Sequence, residues 1–188
     1  FLAVLDPGEE KISIIGINRD TMTEISVYDR NGLYAGTQTA QIALAHAYGD
    51  GMEESCENTV NAVSQLFYGL PIHGYCALNM EVVTLLNDAV GGVDVVIPES
   101  AAGADMEIDG ERYKTEWKTG QQVHLMGNDA YTFIRYRDTQ EPQSAEARLE
   151  RQKTYLQAFI QQAVSAIGQD ITLPITLYQA VTPYMVTD

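Results

Sequence analysis

The sequence predicts one α/β domain, residues 1–188, with helices packed against a central mixed sheet. β-rich runs such as "KISIIGIN" alternate with runs of helical period. "IHGYCALNM", "EVVTLLNDAV" and "VDVVIP" follow one another as strand, helix and strand, a βαβ-like order that makes the sheet mixed. No linker, repeat or low-complexity segment divides the 188 residues. At this length about 70% of the unfolded chain's surface is expected to leave water on folding.

The elements follow in order. "FLAVLDPGEEKISIIGIN" is expected to form a hairpin at the core of a sheet, because Asp6, Pro7 and Gly8 make a turn signal between two β-rich flanks. The Ala-rich run from Gln38 to Tyr48 is expected to be a helix closed by Gly49. Ser55 is positioned to cap a second helix carrying Val60, Val63, Leu66 and Phe67 at core spacing, stopped by Gly69 and Pro71. Gly91 closes the helix "EVVTLLNDAV", and Pro98 ends the strand "VDVVIP". Asp109-Gly110 between "MEI" and "ERY" is a hairpin turn pair. "NDAYTFIR" is a short helix, and the longest helix runs from Ala145 to about Ile167 on a stripe of Leu149, Leu156, Ile160, Ala163 and Ile167.

Composition excludes several classes of function. With 45% hydrophobic and 20% charged residues the chain is globular. A net charge of −15 opposes the counterion displacement that nucleic-acid binding requires. No apolar run approaches the roughly 18 residues of a membrane span. The chain opens on Phe1 rather than Met, as a fragment whose anchor or signal had been removed would. Cys56 and Cys76 lack metal-ligand spacing, which leaves a disulfide in an oxidising compartment or, as the simpler expectation, two buried thiols. His46, His73 and His124 are too scattered for a zinc site. No Gly-rich phosphate loop of the Walker or Rossmann type follows a strand, which argues against a cytosolic phosphosugar- or nucleotide-binding domain.

Against that acidic background, Arg135, Arg137, Arg148, Arg151 and Lys153 account for five of only eleven basic residues. Arg135 and Arg137 fall at the end of a helix, where they could complement its dipole or hold an anion. Projection at about 100° per residue from Leu149 puts Arg148 and Gln152 on one shoulder of the expected apolar stripe and Arg151 on the side away from the core, as a solvated or helix-pairing arginine and not a ligand contact. Lys153 is expected to be a solvated charge. Arg19 follows an apolar strand in "IIGINRDTM", at a strand exit of the kind where α/β sheets bind ligands, or in an ordinary turn paired with Asp20. Guanidinium forks grip phosphate oxygens bidentately, and several together call for a dianion or pyrophosphate.

Six segments in order resemble the LytR-CpsA-Psr family of cell-envelope proteins: "ISIIGINRDTM", "AQIALAHAYGDG", "VNAVSQLFYGLPIHGYCALNM", "LLNDAVGGVDVVIP", "GQQVHLMGNDAYTFIRYRDT" and "EARLERQ". The resemblance implies a three-layer α/β/α fold and an extracytoplasmic domain tethered to the membrane by an N-terminal helix. It implies a phosphotransferase that moves a glycopolymer, such as teichoic acid or capsular polysaccharide, from a polyprenyl-pyrophosphate carrier to a peptidoglycan hydroxyl. Arg19 matches the arginine of the family's Pro-Arg-Asp segment. Arg135 and Arg137 match its Arg-x-Arg pair, and Arg148 and Gln152 the ends of its Arg-x-x-Arg-Gln motif. By this match Arg19, Arg135, Arg137 and Arg148 are catalytic, and all five residues bind substrate. Magnesium is the implied cofactor, with its two aspartate ligands expected upstream of Phe1, together with the domain's first strands and membrane anchor.

Four positions depart from the pattern. Asn18 stands for proline, Gln41 for lysine, Ala43 for asparagine, and Ala145 for an aspartate assigned to proton transfer. The departures at Gln41, Ala43 and Ala145 motivate an alternative, a noncatalytic envelope module that binds polyprenyl phosphate or pyrophosphate lipids.

Overall fold

The computed structural model describes residues 1–188. Its strands are β1 (Leu2–Asp6), β2 (Lys11–Ile15), β3 (Met22–Tyr28), β4 (Tyr34–Gln41), β5 (Cys76–Leu78), β6 (Val93–Val96), β7 (Asp105–Ile108), β8 (Glu111–Lys114), β9 (Gln122–Leu125) and β10 (Met185–Thr187). Its helices are α1 (Ala43–Ala47), α2 (Glu53–Leu66), α3 (Glu81–Ala89), α4 (Asn128–Arg135), α5 (Ser144–Gln169) and α6 (Leu173–Val181). The chain has the expected α/β/α arrangement of strands flanked by packing helices. Its strands pair in five antiparallel two-stranded ladders. β5 bonds β10 and β6 bonds β9, so residues 72–98 do not hydrogen-bond to each other as a βαβ unit. The contacts group into two compact units, Phe1–Leu78 with Met185–Asp188, and Asn79–Tyr184.

In the first unit β1 and β2 form the expected hairpin. The Asp6 carboxylate accepts the N–H groups of Gly8 at 2.9 Å and Glu9 at 3.1 Å. Its expected place in a core is corrected, since Leu5 is 69% and Ile12 64% exposed. The helix expected from Gln38 starts only at Ala43, because residues up to Gln41 pair with β3. Cross-strand pairing there outweighs the helix propensity of the Ala-rich run. Ile25, Ile42, Ala45 and Ala62 form the core between β3, α1 and α2.

Ser55 does not cap α2, which begins at Glu53. Its N-cap residue, Met52, has no side-chain cap; in the turn before the helix the Asp50 carboxylate accepts the Met52 N–H at 2.7 Å, while the buried Ser55 hydroxyl accepts the Gly51 N–H at 2.7 Å. A Cβ on Gly49 would lie 2.4 Å from the Ser55 backbone nitrogen. Gly49→Ala is therefore expected to cost about 1–3 kcal/mol, read as a lower urea midpoint. Both cysteines are free, Cys56 buried and Cys76 exposed, so the pair is neither a disulfide nor two buried thiols.

In the second unit Asp109 (φ 53°) and Gly110 (φ 82°) both turn left-handed between β7 and β8, as the Asp-Gly pair predicts for a two-residue hairpin. Phe133, Trp117, Leu125, Val93 and Ile97 centre the core, with Phe133 and Trp117 edge to face at 6.2 Å. α5 buries a different stripe from the expected one. Arg151 and Tyr155 are buried, Phe159 packs on the core, and Gln162 donates to the Val90 carbonyl at 2.8 Å, whereas Ile160 is exposed. Tyr155 supplies the reason: its hydroxyl reaches the buried Asn87 Oδ1 at 3.0 Å, and Asn87 donates to the Leu125 carbonyl at 2.9 Å. That network fixes the helix's rotation, and Leu149 and Leu156 remain half-buried at its margin.

Candidate functional site

The second unit brings four of the five sequence-predicted site residues to the junction of α4 and α5. α4 is anchored by its inner face, where Ala130, Thr132, Phe133 and Ile134 are buried. At its start, the Asp88 carboxylate accepts the Gly127 N–H at 2.7 Å, and Tyr113 donates to Asp129 at 2.8 Å. Burial, with Asp129 adding to it, pushes the Tyr113 hydroxyl up to about 12, so it remains a donor. The outer face carries Tyr131 and Arg135 one turn apart. The Arg135 guanidinium lies 5.3 Å from the Tyr131 ring centroid and donates to the Tyr131 hydroxyl.

The last carbonyls of a helix lack partners within it. Here α5 supplies them. Arg151 Nε donates to the Phe133 carbonyl at 2.9 Å, and its Nη2 donates to the Tyr136 carbonyl. Gln152 Nε2 donates to the Ile134 carbonyl at 3.4 Å. A third branch of Arg151, Nη1, donates to the Ser100 carbonyl at 3.1 Å and hydroxyl at 2.9 Å. The placement of Arg151 away from the core is thus corrected, since only 3% of it is exposed; of the two roles expected for it, pairing α5 with another helix holds and a solvated charge does not, because α5 buries a different stripe. Lys153 pairs with Glu150 at 2.6 Å on the exposed side, as a solvated charge.

With the dipole end of α4 capped from α5, Arg135 and Arg137 are turned to other partners. Both are exposed, and both bond to neutral hydroxyls: Arg135 to Tyr131, and Arg137 Nε to Ser144 at 2.9 Å. Neither forms an ion pair. Ser144 opens α5, and Arg148 stands one turn further along the same face, followed by Gln152. Arg137, Arg148 and Gln152 therefore line one edge of the first turns of a 26-residue helix whose N-terminus has no side-chain cap. The positive end of that helix adds to the arginines' field. Arg148 is close enough to help lower the Arg151 guanidinium to about 10, after the larger effect of burial.

Arg19 belongs to the first unit, in the turn after β2. Asn18 accounts locally for the absent proline, since its side chain accepts the Asp20 N–H at 3.0 Å and its carbonyl the Thr21 N–H at 3.0 Å. The Arg19 carbonyl accepts the Ala43 N–H at 3.1 Å, which ties the turn to α1. The side chain is 57% exposed and lies 3.7 Å from Asp20. An open cleft of about 200 Å³ in this unit is lined by Glu24, Ser26, Thr37, Asn61 and Gln65, none of them a predicted site residue.

No cluster of three His, Cys, Asp or Glu side chains is arranged to hold a metal. The residues of the α4–α5 junction are cationic or neutral donors, so they fit an anion and do not fit magnesium. No helix is long and apolar enough to cross a membrane.

A model of the LytR-CpsA-Psr family matches residues 1–188. A polyisoprenyl-teichoic acid–peptidoglycan teichoic acid transferase, TagU of Bacillus cereus, is 30% identical over 167 residues, which cover 88% of this chain and 46% of that protein. The corresponding TagV transferase of Bacillus subtilis is 28% identical over 166 residues, covering 88% of this chain and 38% of that one. The crystal structure of B. subtilis TagV superposes with a TM-score of 0.71 at 24% identity, over 99% of this chain and 63% of that one, a likeness of fold. The chain spans less than half the length of these curated relatives.

Proposed function

The chain belongs to the LytR-CpsA-Psr family, and from that premise we propose that it is the pyrophosphate-binding part of an extracytoplasmic, membrane-anchored cell-wall transferase. Its substrate is a glycopolymer on a polyprenyl-pyrophosphate carrier, and its acceptor a peptidoglycan hydroxyl. One observation carries the reading. In a chain with 26 acidic residues, Arg135 and Arg137 are exposed with hydroxyl partners and no carboxylate partner. A structural pair in so acidic a protein would be neutralised; this one keeps its charge for an external anion.

In this reading the acceptor oxygen attacks the phosphorus attached to the polymer. The bond from that phosphorus to the bridging oxygen breaks, polyprenyl phosphate leaves, and the hydroxyl proton passes to solvent or base. Arg135, Arg137 and Arg148 hold the phosphate oxygens and offset the charge that develops on the departing phosphate. Gln152 positions the end of α4 through its bond to the Ile134 carbonyl. Magnesium, when bound, would neutralise the pyrophosphate, and none of this chain's residues is assigned to hold it.

A second reading, a noncatalytic lipid-pyrophosphate binder, is favoured by Ala145, which puts a methyl group in the first turn of α5 where a carboxylate would receive the proton. Turnover decides between them. The full-length protein is expected to release prenyl phosphate from a prenyl-pyrophosphate-linked saccharide when magnesium is supplied, measured by radiolabelled product. Saturable binding without turnover supports the second reading, and absence of binding defeats both.

A further inference from the structure

Arg151 is a cation in the core of the second unit, 3% exposed and without a carboxylate partner. Removing such a charge from water is costly, and here it is solvated entirely by protein oxygens. One planar fork reaches three backbone segments: the Phe133 carbonyl in the last turn of α4, the Tyr136 carbonyl beyond it, and Ser100 in the 3-10 turn Glu99–Ala101. Phe133 and Tyr136 bracket Arg135, and Arg137 follows directly. A lysine has one nitrogen and could not span these acceptors. A leucine would fill the space but leave the carbonyls orphaned.

We propose that Arg151 is a positioning residue for the anion site, fixing from α5 the backbone from which Arg135 and Arg137 project. This rests on the reading of those two arginines as the pyrophosphate clamp. Arg151 itself touches no ligand. Its effect passes through the carbonyls of Phe133 and Tyr136, so it depends on Arg135 and Arg137 being present. A residue that only stabilised the core would act alike whether or not they were there.

The test is a double-mutant cycle on the full-length protein, with farnesyl pyrophosphate as probe and affinity measured by titration calorimetry. Circular dichroism confirms that each variant is folded at the assay temperature. Arg151→Lys keeps the charge but loses the fork, and affinity is expected to fall about tenfold. In the Arg135→Ala/Arg137→Ala background the same change is expected to alter the residual affinity by less than about twofold. If Arg151→Lys fails to fold, Arg151→Gln, which retains two donors, is read the same way. Unchanged affinity in a folded Arg151 variant, or an equal loss in both backgrounds, overturns the positioning role while leaving the clamp standing. A double variant that binds like the unmodified protein overturns the clamp itself, and the positioning role with it.

Discussion

Replacing both Arg135 and Arg137 by alanine is expected to weaken prenyl pyrophosphate binding by about a hundredfold to ten-thousandfold, with little change in stability. Each hydrogen bond from a charged group to a phosphate oxygen is worth about 1.5–3 kcal/mol, and two such losses set the range. Stability is spared because both side chains are exposed and the end of α4 is capped by other residues. The unfolding free energy should therefore shift by no more than about 0.5 kcal/mol. Titration with farnesyl pyrophosphate reads the first quantity and urea denaturation the second. Unchanged affinity would remove the anion site; a large drop in stability would mean that the arginines serve the fold.

Much of the second unit was legible from local chemistry. The Asp109-Gly110 hairpin, the short helix ending at Arg135 and the long helix after it each follow from turn residues and period. What failed was rotation. The leucines and isoleucines of α5 suggested one buried face, but Tyr155 with its hydroxyl on Asn87 placed another face inward. A helix this long presents enough apolar residues to offer more than one stripe, and a buried polar network chooses among them. The same rotation carries Arg151 inward. The period Arg151, Tyr155, Phe159 and Gln162 was present in the sequence, but it begins and ends on polar residues, which a hydrophobic pattern discounts.

The same reasoning bears on the site. Arg135, Arg137, Arg148 and Gln152 could be selected by type and order, and the structure gathers them at one junction. What the sequence concealed was the difference between residues that face outward and those that hold the frame. Arg135 and Arg137 are turned to hydroxyls, while Arg151, one residue from Gln152, is consumed by backbone carbonyls. Type and spacing do not separate these roles, because a guanidinium serves phosphate and carbonyl oxygens alike.

Phe133→Ala is expected to be the most destabilising single change in the second unit, by about 3–5 kcal/mol. Its ring is 0% exposed, meets Trp117 edge to face, and lies in the inner face of α4, so truncation leaves a cavity in the centre of the core. Urea denaturation measures the loss; a cost below about 1 kcal/mol would show that this core is not what holds α4. Phe133→Leu retains most of the volume and is expected to cost under about 2 kcal/mol. The pair also separates side chain from backbone. Arg151 bonds the carbonyl of residue 133, which leucine preserves. The leucine variant should therefore bind farnesyl pyrophosphate within about threefold of the unmodified protein despite its lower stability, because coupling through the backbone survives a change of side chain.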